Sequence, residues 1–259
     1  MTVGVVTGAA SGMGRACVER LRGTVEQLVA VDLRAPELDG TIGVACDVSD
    51  PDAVRALAAR VAELGRFRTL VHAAGLSPTM ADPGRIVDVN LVGTASVLDA
   101  FEPLVTDGSA AVCFASSAGY LPLELLGPEL AALVHDPRAD GFVERAAALL
   151  PDSGMAYAWS KVGVQLEAAK AAVRWGPRGG RVVSVSPGLI DTPMGRQEFE
   201  QQPVMQQILD DTPIHRLGTA DEVAAVCAFL ASDDASFVSG IDVLVDGASG
   251  AATRTASTS

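Results

Sequence analysis

At residues 3–16 the sequence reads VGVVTGAASGMGRA. A short run rich in valine leads into a turn of small residues, and a segment with helical spacing of apolar residues follows at once. Gly8, Gly12 and Gly14 lack the Cβ atoms that would hold a pyrophosphate away from the backbone, and the first turn of a helix offers it unpaired N–H groups. This strand, turn and helix predict an α/β fold that binds a dinucleotide here.

The next apolar run, residues 27–32, ends in Asp32. A carboxylate at the end of this second strand accepts hydrogen bonds from both hydroxyls of an adenosine ribose and repels a 2′-phosphate. Ser11 in the turn supplies no cation for such a phosphate, and Arg34 is the one basic residue close by. Asp32 therefore favours NAD over NADP. The alternative is an acid that is simply solvated at a strand end.

The chain of 259 residues carries 32 acidic and 19 basic side chains, which give a net charge of −13. This charge disfavours binding to nucleic acid or to an anionic membrane. Apolar runs are too short to span a bilayer, and strand-like sequence from residue 3 leaves no room for a signal peptide. We expect a cytoplasmic protein with one large domain.

The cysteines and histidines show no spacing typical of a disulfide framework or a metal site. We expect the cysteines to be buried free thiols and the histidines to be structural or exposed, with no metal bound. The residues concerned are Cys17, Cys46, Cys113, Cys227, His72, His135 and His215.

Strand-like and helix-like segments alternate to the end of the chain. They predict a doubly wound, seven-stranded parallel sheet, because parallel strands need right-handed crossovers that place helices on both faces. Ligands bind such sheets at the carboxyl ends of the strands. The residues expected to line that crevice are Thr7, Asp32, Asp47, Gly75, Ser117, Ser186 and Pro187.

Three segments stand apart from this alternation. Residues 119–154 form a helical insertion with two short amphipathic pieces, 129–134 and 141–150. Residues 195–218 are polar and are expected to be mobile, and 251–259 form a small polar tail. The domain therefore covers residues 1–250 and includes the insertion.

Tyr157 and Lys161 lie one turn apart on a predicted helix that runs to about Trp175, so both project from one face. A phenol has a pKa of about 10, and a nearby ammonium lowers it toward the range useful for proton exchange. Ser117, at the end of the fifth strand, offers a hydroxyl to hold a substrate oxygen. Asn90, amid apolar neighbours, is expected either to satisfy backbone groups at a helix kink or to hold a water. A tyrosine and a lysine at this spacing are also common on plain surface helices.

In this order, the glycine turn, Asp32, Asn90, the hydroxyls after the fifth strand and Tyr157-x-x-x-Lys161 resemble the short-chain dehydrogenase/reductase family from Val3 to Gly247. The resemblance implies a catalytic tetrad of Asn90, Ser117, Tyr157 and Lys161, with Asn90 steadying a water that relays protons to Lys161. It also implies that Lys161 contacts the nicotinamide ribose. The expected NAD-binding residues are Gly8, Ser11, Gly12, Met13, Gly14, Asp32, Leu33, Asp47, Val48, Ala74, Gly75, Tyr157, Lys161, Pro187, Gly188, Ile190, Thr192 and Met194.

Two positions depart from the family pattern. His72-Ala73 stands where the family often has two asparagines, of which one chiefly braces the sheet. In addition, 39 residues separate Ser117 from Tyr157, many more than is common. An insertion at this point resembles the 3α-hydroxysteroid dehydrogenase/carbonyl reductase subgroup. It would either cover the helices that usually join family tetramers, which favours a homodimer or a rearranged homotetramer, or roof the substrate cleft.

The function that this resemblance implies is the NAD-dependent interconversion of a secondary alcohol and a ketone. Phe199, Met205, Ile208 and Leu209 suggest an apolar substrate such as a hydroxysteroid or another alicyclic compound. One alternative is an acyl-carrier-protein-linked 3-ketoacyl reductase. The excess of acidic over basic residues and the presence of Asp32 disfavour it. A second is a non-catalytic NAD-sensing protein of the same fold, which the presence of both Tyr157 and Lys161 disfavours.

Overall fold

The computed structural model describes residues 1–121 and 126–256. Its strands are β1 (Thr2–Thr7), β2 (Gln27–Asp32), β3 (Ile42–Ala45), β4 (Arg66–His72), β5 (Ala110–Phe114), β6 (Arg181–Pro187), β7 (Ile190–Asp191), β8 (Gly218–Thr219) and β9 (Asp242–Val245). Its helices are α1 (Gly12–Leu21), α2 (Pro51–Leu64), α3 (Pro83–Val87), α4 (Gly93–Phe101), α5 (Pro128–Leu133), α6 (Phe142–Leu149), α7 (Ser153–Trp175), α8 (Pro193–Gln201), α9 (Val204–Asp211), α10 (Ala220–Ala231) and α11 (Ser249–Ala256).

Seven strands form one parallel sheet in the order β3-β2-β1-β4-β5-β6-β9. Val5 of β1 lies opposite Val29 of β2 on one side and Leu70 of β4 on the other. The central strands are buried on both faces, which explains why their sequences are continuous apolar runs. The doubly wound seven-stranded sheet is confirmed, and the chain order reverses between β1 and β4, where the crevice opens.

Helices cover both faces of the sheet. Apolar side chains of α2, α4 and α7 form one core with the strands, and those of α1 and α10 form the other. All four cysteines are buried and free, as expected. Within residues 1–121 and 126–256, no helix is long and apolar enough to cross a membrane.

His72, at the end of β4, joins three elements. Its Nδ1 lies 2.8 Å from the Thr7 hydroxyl of β1, and its Nε2 lies 3.1 Å from the Thr94 hydroxyl of α4. Burial, with a contribution from the charge of Lys161, lowers the pKa of His72 to about 3. The neutral imidazole therefore braces the sheet at the position where the family often has asparagine.

The helical segment from Pro83 to Phe101 is interrupted. Asp88–Val92 forms a π-helical turn between α3 and α4, and buried Asn90 lies within it. A π turn opens the helical hydrogen-bond ladder by one residue, and such turns are frequent at functional sites. Its position here turns the Asn90 amide toward the β4–α3 loop.

The described part of the insertion packs on the side of the domain. Its helices α5 and α6 share an apolar cluster with α3 and the first half of α7, and the Trp159 indole donates to the Leu130 carbonyl at 3.1 Å. Arg138 donates to Asp99 of α4 and to the fully buried Glu167 of α7, each at 2.6 Å. These contacts place the described part of the insertion against α3 and the first half of α7, with an ion pair to α4. Its effect on assembly stays a prediction.

Two segments contain helices that the sequence did not predict. Residues 195–218 include the end of α8 and all of α9, and Thr192 caps α8 while Pro193 begins it. The mobility of these residues stays a prediction. The start of the expected polar tail is helical, since α11 runs from Ser249 to Ala256. A short parallel pair, β7 with β8, was not predicted.

Candidate active site

The glycine turn after β1 has a backbone that only glycine suits. Gly8 has a φ of +67°, and a Cβ there would lie 2.8 Å from the Ala73 backbone. A Cβ on Gly14 would overlap the Gly8 carbonyl oxygen. Ser11 precedes α1 but its side chain bonds none of the described first-turn N–H groups. Ser11, Gly12 and Met13 therefore leave a small, electropositive cradle that fits a pyrophosphate.

Asp32 is fixed beside this cradle. Its Oδ2 accepts a hydrogen bond from the Ala10 N–H at 2.9 Å, and its Oδ1 accepts one from the Leu33 N–H at 2.8 Å. Each carboxylate oxygen retains a further lone pair. Two backbone N–H groups thus fix the Asp32 carboxylate, and its two oxygens can still accept hydrogen bonds from the two hydroxyls of a ribose.

Asp47, the second acid at this edge, already has partners. Its Oδ1 accepts from the Ser49 N–H at 3.0 Å and from the Ser49 hydroxyl at 2.7 Å, and its Oδ2 accepts from Arg85 at 2.8 Å. Asp50, not Asp47, caps α2, while Val48 is buried nearby. The contact of Asp47 with an adenine stays a prediction.

Asn90 and Lys161 meet beside Gly75. Asn90 Oδ1 accepts from the Leu76 N–H at 2.7 Å, and its Nδ2 donates to the Leu76 carbonyl at 3.0 Å. A Cβ on Gly75 would lie 3.1 Å from Asn90 Oδ1 and 3.6 Å from Lys161 Nζ. Ala74 and Gly75 thus keep open the space that these two polar groups face. The water relay through Asn90 stays a prediction.

Lys161 and Tyr157 project from one face of α7. Lys161 Nζ donates to the Phe114 carbonyl at 2.8 Å and lies 5.6 Å from the centroid of the Tyr157 ring. Burial lowers the pKa of Lys161 to about 8. Burial raises the pKa of Tyr157 to about 12, the nearby Ser116 hydroxyl opposes that rise, and the charge of Glu198 adds to it.

Ser116, the residue before the predicted Ser117, lies beside Tyr157 in the lining of one cavity. It is buried, and it caps the turn that follows by accepting from the Ala118 N–H at 3.2 Å. The catalytic role of Ser117 stays a prediction. Ser117 is the first residue of that 3-10 turn. The chain reverses there because Gly119 packs directly on the backbone of Lys161. The two serines differ only in their position in the turn after β5. Two adjacent serines in a sequence do not reveal that turn.

Tyr157 and Ser116 line a cavity of about 70 Å³ at the carboxyl ends of β5 and β6. Six further predicted cofactor residues line it as well: Met13, Pro187, Gly188, Ile190, Thr192 and Met194. Met205 lines it too, whereas Phe199, Ile208 and Leu209 do not. Glu198, which the sequence analysis did not single out, also lines it. No residue of the described insertion is among its lining residues, so the expectation of a roof over the cleft has no support.

A family model described as enoyl-(acyl carrier protein) reductase matches residues 8–124 and 143–248. The chain belongs to the short-chain dehydrogenase/reductase family. The unmatched residues 125–142 fall inside the insertion. The glycine turn, Asn90, Ser116, Tyr157 and Lys161 all lie within the matched segments of this family member.

Two curated relatives and one solved structure show how far the similarity extends. The chain is 32% identical to D-threitol dehydrogenase of Mycolicibacterium smegmatis, covering 95% of this chain and 91% of that protein. It is 30% identical to 3-alpha-hydroxysteroid dehydrogenase/carbonyl reductase of Comamonas testosteroni, covering 95% and 96%. The crystal structure of 3-alpha-hydroxysteroid dehydrogenase from Pseudomonas sp. B-0831 complexed with NADH has a TM-score of 0.83 and 30% identity, with 98% and 99% covered.

Proposed function

We propose that this protein is an NAD-dependent oxidoreductase that interconverts a secondary alcohol and a ketone. The observation that carries the proposal is the cavity at the carboxyl edge of the sheet that Ser116 and Tyr157 both line, with Lys161 Nζ 5.6 Å from the centroid of the Tyr157 ring. A substrate oxygen in this cavity can bond both hydroxyls. The similar dehydrogenases of alcohols and hydroxysteroids support this reading.

Asp32 and the cradle of Gly8, Gly12 and Gly14 support NAD as the cofactor. The fit rests on the space that a Cβ would fill and on the two free acceptor sites of the Asp32 carboxylate. A 2′-phosphate would meet the negative charge of Asp32 at that place. When bound, NAD takes the hydride from the carbinol carbon, and NADH returns it to a carbonyl carbon.

The residues of the chain handle the substrate oxygen and its proton. Ser116 donates to the oxygen and holds it against Tyr157. In alcohol oxidation, the Tyr157 oxygen accepts the hydroxyl proton as the carbon–oxygen double bond forms, and in ketone reduction it gives that proton back. Burial and the charge of Glu198 raise the pKa of Tyr157 to about 12, opposite to the lowering by Lys161 that the sequence predicts. Protonated Lys161, whose Nζ lies 5.6 Å from the ring centroid, is the group that would stabilise the phenolate when substrate and NAD are bound.

The test is NADH formation with a panel of cyclic and steroidal secondary alcohols, with NAD and NADP supplied separately. Tyr157→Phe is expected to lower turnover by at least about 1,000-fold, because the only proton-transfer group at the substrate oxygen is lost. Tyr120→Phe is the matched control, since the Tyr120 hydroxyl donates to Asp242 at 2.8 Å and does not line the cavity. Full activity of Tyr157→Phe, or a preference for NADPH, would contradict the proposal.

A further inference from the structure

One carboxylate faces the reaction cavity. Among the described residues that line it, Glu198 of α8 is the only acid, and most of the others are apolar or contribute backbone. The charge of Glu198 acts directly on the Tyr157 hydroxyl, whose pKa it helps to raise. The acid therefore lies near the reacting oxygen, in an environment where an unpaired charge is unfavourable.

Glu198 lies near the loop on the other side of the crevice. The Ser77 hydroxyl of that β4–α3 loop is 1% exposed and acts to lower the pKa of Glu198 against the effect of burial. The neighbouring residue of the loop, Leu76, is fixed through both its N–H and its carbonyl by Asn90. Glu198 is therefore close both to Tyr157, with which it lines the cavity, and to the loop that Asn90 orders.

The partners of Glu198 in the protein do not use its full capacity. A carboxylate accepts about four hydrogen bonds, more than the nearby Ser77 hydroxyl can supply. The ion pairs of residues 1–121 and 126–256 include none to Glu198, and burial raises its pKa. A half-buried acid that neither pairs with a cation nor caps a helix, and that faces a cavity, is suited to receive a donor from a ligand.

We propose that Glu198 selects substrates that carry a second hydroxyl on a carbon adjacent to the reacting carbinol, that is, vicinal diols and α-hydroxy ketones. This inference rests on the proposed function, since Ser116 and Tyr157 fix the reacting oxygen. A neutral hydroxyl fits better than an ammonium because Lys161 already places a positive charge in the same crevice. An anionic substituent would be repelled by Glu198.

The experiment compares matched pairs of alcohols in the NAD-dependent assay: cyclohexanol with trans-1,2-cyclohexanediol, and 2-butanol with 2,3-butanediol. The wild-type protein is expected to have a kcat/KM for each diol about 10- to 100-fold above that for the matched mono-alcohol. This factor corresponds to one added hydrogen bond to a charged group. Glu198→Leu is expected to bring that ratio close to one, chiefly by raising the KM for the diol. Glu198→Gln, which keeps a neutral acceptor, should retain part of it.

Glu200→Gln is the matched control, because Glu200 lies on the same helix, is exposed and does not line the cavity. It should leave the diol ratio unchanged. A ratio near one in the wild type, or an unchanged ratio in Glu198→Leu, would overturn the role of Glu198 while the proposed function stands. Preference for 2-aminocyclohexanol over the diol would overturn the assignment to a hydroxyl. Absence of NADH formation from the diols, from their partners and from the whole alcohol panel would instead overturn the proposed function, and the role of Glu198 with it.

Discussion

Replacing each of the two adjacent serines with alanine separates the role of Ser116 from that of Ser117. Ser116 lines the cavity with Tyr157, and its Oγ accepts from the Ala118 N–H at 3.2 Å. Ser116→Ala therefore removes the proposed donor to the substrate oxygen and the hydroxyl that acts to lower the pKa of Tyr157. Loss of a comparable donor to a developing oxyanion costs roughly 2.7–4 kcal/mol, so kcat should fall by roughly 100- to 1,000-fold.

The same substitution also removes the cap of the turn at residues 117–119. We expect it to lower the free energy of unfolding by about 1 kcal/mol, which leaves the protein folded during an assay. Ser117→Ala should change kcat by less than about threefold, since Ser117 makes neither contact.

Steady-state kinetics of the two variants with one alcohol from the panel, together with urea unfolding curves, tests the assignment. A pH profile adds a second readout: in Ser116→Ala, the limb that reports Tyr157 should move to higher pH, because the hydroxyl that acts to lower the pKa of Tyr157 is lost. The reasoning is refuted if Ser117→Ala is the slow variant, or if both variants lose activity equally.

Three further outcomes are expected. Asp32→Asn should lower the preference for NAD over NADP by roughly 10- to 100-fold, measured as a ratio of kcat/KM, because the repulsion of a 2′-phosphate is lost. The pKa of His72 is about 3 in the folded protein and about 6.5 in the unfolded chain. The unfolded chain therefore binds an extra proton between these pH values. The free energy of unfolding falls by up to about 1.4 kcal/mol per pH unit from pH 6.5 toward 3. His72→Asn should flatten that fall in urea titrations at pH 7, 5.5 and 4.5, and an unchanged slope would contradict the brace. Arg138→Met should lower the free energy of unfolding by about 1–2 kcal/mol, because buried Glu167 loses one of its two cationic partners. Adding Glu167→Gln should restore part of that free energy.

The architecture and part of the site follow from local sequence. Continuous apolar runs specify strands buried on both faces, and the glycines at 8 and 14 are required where a Cβ would collide with backbone. The helical spacing of Tyr157 and Lys161 places them on one face of α7 whatever surrounds it. These features depend on residues close together in the chain, which is why the sequence reveals them.

Other features depend on contacts between distant segments. Adjacent serines follow β5, and only the packing of the next turn on α7 places Ser116 beside Tyr157. Glu198 looks like one more acid of a polar helix until the fold places it in the lining of the cavity. The insertion likewise reads as two amphipathic pieces, and its place is set by an apolar cluster with α3 and α7 together with Arg138. Sequence alone determined which elements form and which residue types they carry, because those depend on local periodicity; the tertiary structure decided which side chains meet, because that depends on packing across the fold.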